Sequence, residues 1–182
     1  MSEDSKARIQ RIAQAAFAQH RDLDRVPAMA AGVVIDGALA AFSGFGAGPD
    51  SLFRIASMTK SFTAAAALIL RDEGKLDLDA PIARYAPEFA GLKGPTTDSP
   101  AITTRHLLSM QSGLATDDPW GDRHLDISDA DLDAAVRAGP LFACVPGTAF
   151  EYSNLGYALI GRVMHRASGI RPQAFITERL LK

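Results

Sequence analysis

The chain has 182 residues, of which 47% are hydrophobic and 22% are charged, and its formal net charge is -2. This length allows one domain or part of a larger one, and the near-neutral charge disfavours nucleic acid or an anionic membrane as a partner. The single cysteine, Cys144, cannot form an internal disulfide. The histidines and the cysteine lack zinc-site spacing, so we expect neither a metal nor another cofactor.

The amino terminus indicates where the protein is located. Residues 1–6 lead into a charged amphipathic segment that lacks the apolar stretch of a signal peptide. The most apolar run, residues 64–70, is far shorter than the roughly 20 residues that span a bilayer. We therefore expect no membrane anchor and a cytoplasmic location.

The first third of the chain predicts a helix, a hairpin and a second helix. Apolar residues at spacings of three and four predict a helix over residues 5–21. Runs of small and β-branched residues at 29–35 and 38–42, joined by Asp36-Gly37, predict a β-hairpin followed by a loop over 44–49. An almost wholly apolar helix is then expected from about Ser57 to Arg71.

Only helices are predicted after that point. Capping residues, prolines and apolar spacing predict five helices. The first is short and capped by Asp79, the second covers residues 105–109 and is capped by Thr104, and the third is a polar helix over 126–137 with Leu132 and Val136 facing inward. The fourth covers residues 155–167 and is closed by Gly169, and the last begins at Pro172. A two-stranded hairpin is marginal unless further strands or helices cover it, so this order suggests a fold interrupted in the middle.

The strongest chemical signal is at the start of the apolar helix, where Lys60 follows Ser57 by three residues. Positions i and i+3 share a helix face, so the Lys60 amine can reach the Ser57 hydroxyl. An amine among apolar residues is less stable when charged, and in its neutral form it can take the serine proton and activate the nucleophile. The first-turn N–H groups of the helix can bind an oxyanion. Because such a pair also occurs by chance, it leaves catalysis and simple packing about equally open.

A second group of polar residues follows the turn at Pro146-Gly147. Ser153 or Asn154 can cap the helix that comes next, and for Ser153 we favour this structural role. Tyr152, if it is held near a lysine, can act as a base. Asn154 can then orient that lysine or a substrate amide.

Four blocks of this sequence, in the same order, resemble the serine β-lactamase-like superfamily of class C β-lactamases, D,D-peptidases and related cytoplasmic esterases. They are residues 53–64 with Ser57-Met58-Thr59-Lys60, residues 73–79, residues 102–108 with 112–114, and residues 146–157 with Tyr152-Ser153-Asn154. The resemblance implies that Ser57, Lys60 and Tyr152 are catalytic and that Asn154 binds substrate. Gln111 departs from the threonine that many relatives have before Ser-Gly-Leu, a difference we regard as peripheral.

The resemblance also implies an α+β fold of the β-lactamase/transpeptidase type, an antiparallel sheet flanked by helices plus an all-helical subdomain. No Lys-Thr-Gly, His-x-Gly or Trp-x-Gly follows Asn154, and in the family that third motif lies on a strand beside the nucleophile. We therefore expect residues 1–182 to form a single incomplete domain without its carboxy-terminal strands. Within it, residues 1–74 would hold the helix, hairpin and nucleophile helix, and residues 75–182 a mainly helical subdomain. The missing part would be carried by a second chain or lost by truncation.

The resemblance further implies a serine hydrolase that forms an acyl-enzyme on Ser57. We favour a carboxylesterase for small esters, because no export signal is seen. A β-lactamase or D,D-peptidase is the first alternative, and a non-catalytic ligand-binding relative or inactive fragment is the second. The expected partner is a small ester or amide substrate, with neither nucleic acid nor membrane.

Several other residues receive no catalytic role. They are the histidines His20, His106, His124 and His165, which lack ligand spacing, and the aspartates between Asp117 and Asp133, whose order does not match a calcium loop. We expect the acidic stretch to be a solvated face. Trp120 and Phe150 either line a cleft or form small cores.

Overall fold

The structure is a computed structural model that describes residues 3–24, 26–116, 121 and 126–182, with residues 21–24 described for their backbone only. It divides into two compact units, Met1–Arg54 and Ile55–Lys182. The organisation expected from the sequence, one incomplete domain subdivided at residue 74, stays a prediction.

The first unit consists of helix α1 (Glu3–Asp24) and the antiparallel strands β1 (Met29–Ile35) and β2 (Ala38–Phe45). The predicted tight turn is confirmed, because Asp36 and Gly37 both have positive φ, 52° and 76°. The predicted start of the following loop, at residue 44, is wrong because strand β2 continues to Phe45. Phe45 pairs with Met29, which keeps Gly44 inside the strand ladder.

Helix α1 packs against this hairpin within the first unit. The Gln10 side-chain amide donates to the Phe42 carbonyl at 2.9 Å and accepts from the Phe42 N–H at 3.2 Å. A helix side chain thus satisfies two backbone groups of β2 that would otherwise need another strand or water.

The second unit is built from helices. They are α2 (Thr59–Asp72), α3 (Thr104–Leu108), α4 (Asp129–Arg137), α5 (Asn154–Ser168) and α6 (Pro172–Ile176), with 3-10 turns at Ala56–Met58, Ile82–Arg84 and Pro87–Phe89 and a π-helical turn at Thr177–Leu181. Helix α5 ends at Gly169, whose φ of 74° is the left-handed cap expected from the sequence.

The core of the second unit lies where α2, α3, α5 and α6 meet. Its largest fully buried side chains include Leu70, Leu107, Leu159, Ile160 and Phe175. On α4 the side chains of Leu132 and Val136 are buried, as their spacing predicts. This core therefore fixes the positions of α2 and α5 relative to each other, and these helices begin beside the residues predicted to carry the chemistry.

Two predicted caps are wrong. Pro81, rather than Asp79, is the cap residue of the 3-10 turn at Ile82–Arg84, because the Asp79 carboxylate binds both Nε and Nη2 of Arg105, at 2.6 and 2.8 Å. Thr103, rather than Thr104, caps α3, since its side chain accepts from the His106 N–H while the Thr104 side chain is buried.

Within the described ranges, β1 and β2 form one two-stranded antiparallel sheet, and the other regular elements are helical, which confirms the α+β class. Every helix in those ranges is too short or too polar to cross a membrane.

Candidate active site

Ser57 lies in the 3-10 turn immediately before α2. The residue before it, Ala56, has a φ of 47°, a left-handed conformation that a residue with a Cβ rarely adopts. The Met58 N–H donates to the Ile55 carbonyl at 3.1 Å and closes the turn. The Ser57 side chain is left exposed at the amino-terminal end of α2.

Lys60 lies one helical turn after Ser57, in the first turn of α2, and is half-buried. Its Nζ donates to the Ser57 Oγ at 3.1 Å and to the Asn154 Oδ1 at 2.6 Å. The contact expected from the i, i+3 spacing is therefore present, and the Asn154 amide oxygen accepts a second hydrogen bond from the same amine.

Tyr152 comes from the loop before α5 and completes the group. Its phenol oxygen is 2.5 Å from the Ser57 Oγ, and either atom can be the donor. The Lys60 Nζ lies 4.8 Å from the centre of the Tyr152 ring, within the range of a cation–π contact. Ser57, Lys60, Tyr152 and Asn154 thus form one connected polar group.

The cap of α5 sets the direction of the Tyr152 loop. The buried Ser153 side chain accepts from the Gly156 N–H at 3.0 Å, so the preference for Ser153 as a capping residue is confirmed. With Ser153 facing the helix end, the side chains of Tyr152 and Asn154 on either side both reach the Ser57–Lys60 pair.

Tyr157 is a neighbour of the site to which the sequence analysis assigned no role. Its ring centre lies 5.6 Å from the Lys60 Nζ, and its hydroxyl donates to the Leu108 carbonyl at 3.2 Å. Burial raises the pKa of Tyr157, so the phenol stays neutral and keeps donating. The sequence held one signal for this neighbour. Tyr157 follows Asn154 by three residues on α5, so the two residues share a helix face.

The arrangement suits nucleophilic chemistry. A serine hydroxyl lies between an amine and a phenol, so two groups are within reach to take and return its proton. In the part of the chain that the structure describes, no three His, Cys, Asp or Glu side chains lie close enough together to hold a metal ion.

The structure also places some of the residues to which the sequence analysis gave no catalytic role. His106 belongs to the capping box of α3, where burial lowers its pKa. Phe150 is 66% exposed and so is not part of a small core. The expected solvated acidic face is wrong for Asp133, whose carboxylate is 21% exposed and pairs with the buried Arg162 guanidinium at 2.8 Å. Asp129 also pairs with that guanidinium, at 3.1 Å, but its side chain stays 44% exposed. Other residues of that group lie outside the described residues, namely Asp117, Asp118, Trp120, Asp122 and His124.

Comparisons with known proteins give one family and several relatives. The sequence model of the family described as Beta-lactamase matches residues 13–182. Esterase EstB of Burkholderia gladioli is 36% identical over 144 residues, which cover 72% of this chain and 36% of that protein. A class C β-lactamase structure matches with a TM-score of 0.80 at 24% identity, covering 100% of this chain and 50% of the other.

A further structural match is the octameric penicillin-binding protein homologue from Pyrococcus abyssi, with a TM-score of 0.76 and 25% identity. That match covers 93% of this chain and 41% of the homologue. The chain therefore spans about a third to a half of the length of these relatives.

Proposed function

Because this chain belongs to the β-lactamase family, whose model matches residues 13–182, we propose that the protein is a serine hydrolase that forms an acyl-enzyme on Ser57 and acts on small carboxylic esters. The expected fold is confirmed as β-lactamase/transpeptidase-like, and this chain is a part of it. One observation carries the proposed activity: the Ser57 Oγ lies within hydrogen-bond distance of both the Lys60 amine and the Tyr152 phenol.

In the proposed acylation, the Ser57 Oγ attacks the ester carbonyl carbon while its proton passes to the Tyr152–Lys60 pair. The carbonyl oxygen becomes an oxyanion, and in this proposal the Ser57 backbone N–H at the start of the helix binds it. When the intermediate collapses, the bond to the alcohol oxygen breaks and the pair returns the proton to that oxygen. Water then attacks acyl-Ser57 by the reverse use of the same groups, which releases the acid.

Lys60 and Tyr152 act as a coupled pair in this scheme. The Lys60 Nζ contacts the Ser57 Oγ and lies against the Tyr152 ring, so a positive charge there stabilises negative charge on either oxygen. Asn154 fixes the amine by accepting its hydrogen bond at 2.6 Å.

The proposed preference for esters is supported by the 36% identity to a protein named Esterase EstB. The second candidate is β-lactam hydrolysis, which is favoured by the match of residues 13–182 to the family described as Beta-lactamase. Both reactions use the same acylation step, and substrate choice depends on the walls around the nucleophile. We also propose that the remaining strands of the fold are supplied by a further polypeptide segment or by a second chain.

The test is to treat the native protein with a p-nitrophenyl phosphonate and to locate the label by peptide mass. Turnover of p-nitrophenyl butyrate is then compared with that of a chromogenic cephalosporin. The matched control is Ser61→Ala, which changes an exposed serine one turn further along α2 and should label normally. Faster ester turnover supports the esterase, and faster cephalosporin turnover identifies the β-lactamase. If the complete, folded protein is not labelled on Ser57, the enzymatic proposal is overturned in favour of a non-catalytic ligand-binding relative.

A further inference from the structure

Met110 lies just after α3 in an unusual backbone conformation. Its φ is 58°, in the left-handed region that favours glycine, and its side chain is buried, with 8% of its surface exposed. A residue with a long side chain adopts this conformation only when its surroundings hold it there. The contacts of Met110 show what holds it.

Met110 accepts two hydrogen bonds, one from each residue beside Tyr152. The Glu151 N–H donates to the Met110 carbonyl at 2.8 Å, and the Ser153 N–H donates to the Met110 Sδ at 3.4 Å. A thioether is a weak acceptor, and at this junction it accepts the hydrogen bond of the buried Ser153 N–H. The backbone on both sides of Tyr152 is thereby attached to a single residue.

A neighbouring contact extends this attachment. The Gly147 N–H donates to the Gln111 carbonyl at 2.8 Å, so the Tyr152 loop and the segment after α3 are joined at several successive points. The Tyr157 hydroxyl, bound to the Leu108 carbonyl, makes a further link from α5 to the end of α3. The position of the Tyr152 phenol therefore depends on the segment that contains Met110.

We propose that Met110 is a positioning residue for Tyr152, holding its phenol at hydrogen-bond distance from the Ser57 Oγ through the two flanking peptide groups. This inference rests on the proposed function, in which Tyr152 shares the Ser57 proton. Proton transfer requires contact distances near 3 Å, and a displacement of about 1 Å can slow a reaction by about 100-fold. The left-handed conformation of Met110 directs its carbonyl and its sulfur to the N–H groups of residues 151 and 153.

The test variant is Met110→Leu, which keeps an apolar side chain of similar volume but removes the sulfur acceptor. We expect kcat for p-nitrophenyl butyrate to fall about fivefold to tenfold with KM within twofold, because the substrate contacts are unchanged and Tyr152 is displaced. The matched control is Met164→Leu, which makes the same exchange at a fully buried methionine on α5 and should leave kcat unchanged.

A double-mutant cycle separates positioning from simple packing. In a Tyr152→Phe background, Met110→Leu should lower kcat no further, because the group that it positions is already gone. An equal loss in both backgrounds, or no loss in the wild-type background, overturns the proposal. Met110→Gln is the second variant, since it puts an amide oxygen near the place of the sulfur. It should keep kcat within threefold of the wild type, and a tenfold loss in a folded Met110→Gln protein would also overturn the proposal.

Phosphonate labelling distinguishes the two possible failures. If the wild type is labelled on Ser57 and Met110→Leu is labelled at the same rate, only the role of Met110 is wrong. If the folded wild type is neither labelled nor active on esters, the proposed function itself is wrong, and the role of Met110 is rejected with it.

Discussion

In the first unit, Val34 and Leu39 face each other across the hairpin and are 66% and 58% exposed, whereas in the second unit Leu159 and Ile160 are fully buried. The hairpin is therefore shaped mainly by its turn and its backbone pairing, and the helical unit by a continuous apolar core. Ser57, Lys60, Tyr152 and Asn154 all belong to the helical unit. The proposed chemistry thus depends on the region whose packing is complete enough to hold side chains at fixed distances.

The largest expected effect is that of removing the nucleophile from the helical unit. Ser57→Ala should lower ester turnover by at least about 1,000-fold and abolish phosphonate labelling, because no other group forms the acyl-enzyme. The melting temperature should change little, since the Ser57 side chain is exposed. Residual activity above one per cent of the wild type, with the label on another residue, would place the chemistry elsewhere.

The second largest expected effect is that of removing the Tyr152 hydroxyl. It tests whether the contact between this phenol and Ser57 serves catalysis. Tyr152→Phe removes only the hydroxyl that lies 2.5 Å from the Ser57 Oγ, and it should lower kcat by about 100-fold or more. Tyr85→Phe is the matched control, because the Tyr85 hydroxyl accepts from the Asp77 N–H and serves the fold. Equal losses in kcat from the two variants would argue against a specific role for Tyr152.

A pair of leucine substitutions tests the comparison of the two units directly. Leu159→Ala should lower the free energy of unfolding by about 2–5 kcal/mol, because it leaves a cavity in a closed core. Leu39→Ala, measured on residues 1–182 alone, should change it by less than about 0.5 kcal/mol, since that side chain is largely in water there. Urea unfolding followed by circular dichroism measures both values. Similar losses would mean that the hairpin contributes as much packing as the helical core.

The smallest expected effect is electrostatic and depends on pH. Two hydrogen bonds from the Arg105 guanidinium lower the pKa of Asp79, so the folded protein binds this proton less readily than the unfolded chain. The stabilisation is present above the unfolded pKa, near 3.8, and is lost as the pH falls through the lower folded value. Because the pair is exposed, the difference in melting temperature between wild type and Asp79→Asn should be small at pH 7 and should disappear in more acidic solution.

The control for this pH dependence is Asp98→Asn, a substitution at an exposed loop residue. Its difference in melting temperature from the wild type, measured over the same pH range, is the baseline for exchanging an exposed Asp for Asn. The melting-temperature difference between wild type and Asp79→Asn should not increase as the pH falls. Such an increase would contradict the assignment of the lowered pKa of Asp79 to Arg105.

Much of the local structure follows from the sequence because its causes are local. Asp36-Gly37 tolerates positive φ and specifies the hairpin turn, and the apolar spacing of α2 and α5 specifies helices with a buried face. The approach of Lys60 to Ser57 has the same origin, since three residues along a helix bring two side chains to one face. The four blocks that resemble the β-lactamase family were also visible in the sequence alone.

The tertiary structure decided which distant residues meet. Tyr152 reaches Ser57 across 95 positions of the chain, and the distance between their oxygens depends on the packing of α5 against α2 and α3. The attachment of the Tyr152 loop to Met110 is likewise invisible in the sequence, because it combines a left-handed backbone with a sulfur acceptor 43 residues away. The sequence by itself determined the turns and the helix faces, which depend on short-range sterics and periodicity. Contacts between remote segments needed the folded core, since only close packing specifies where one helix lies on another.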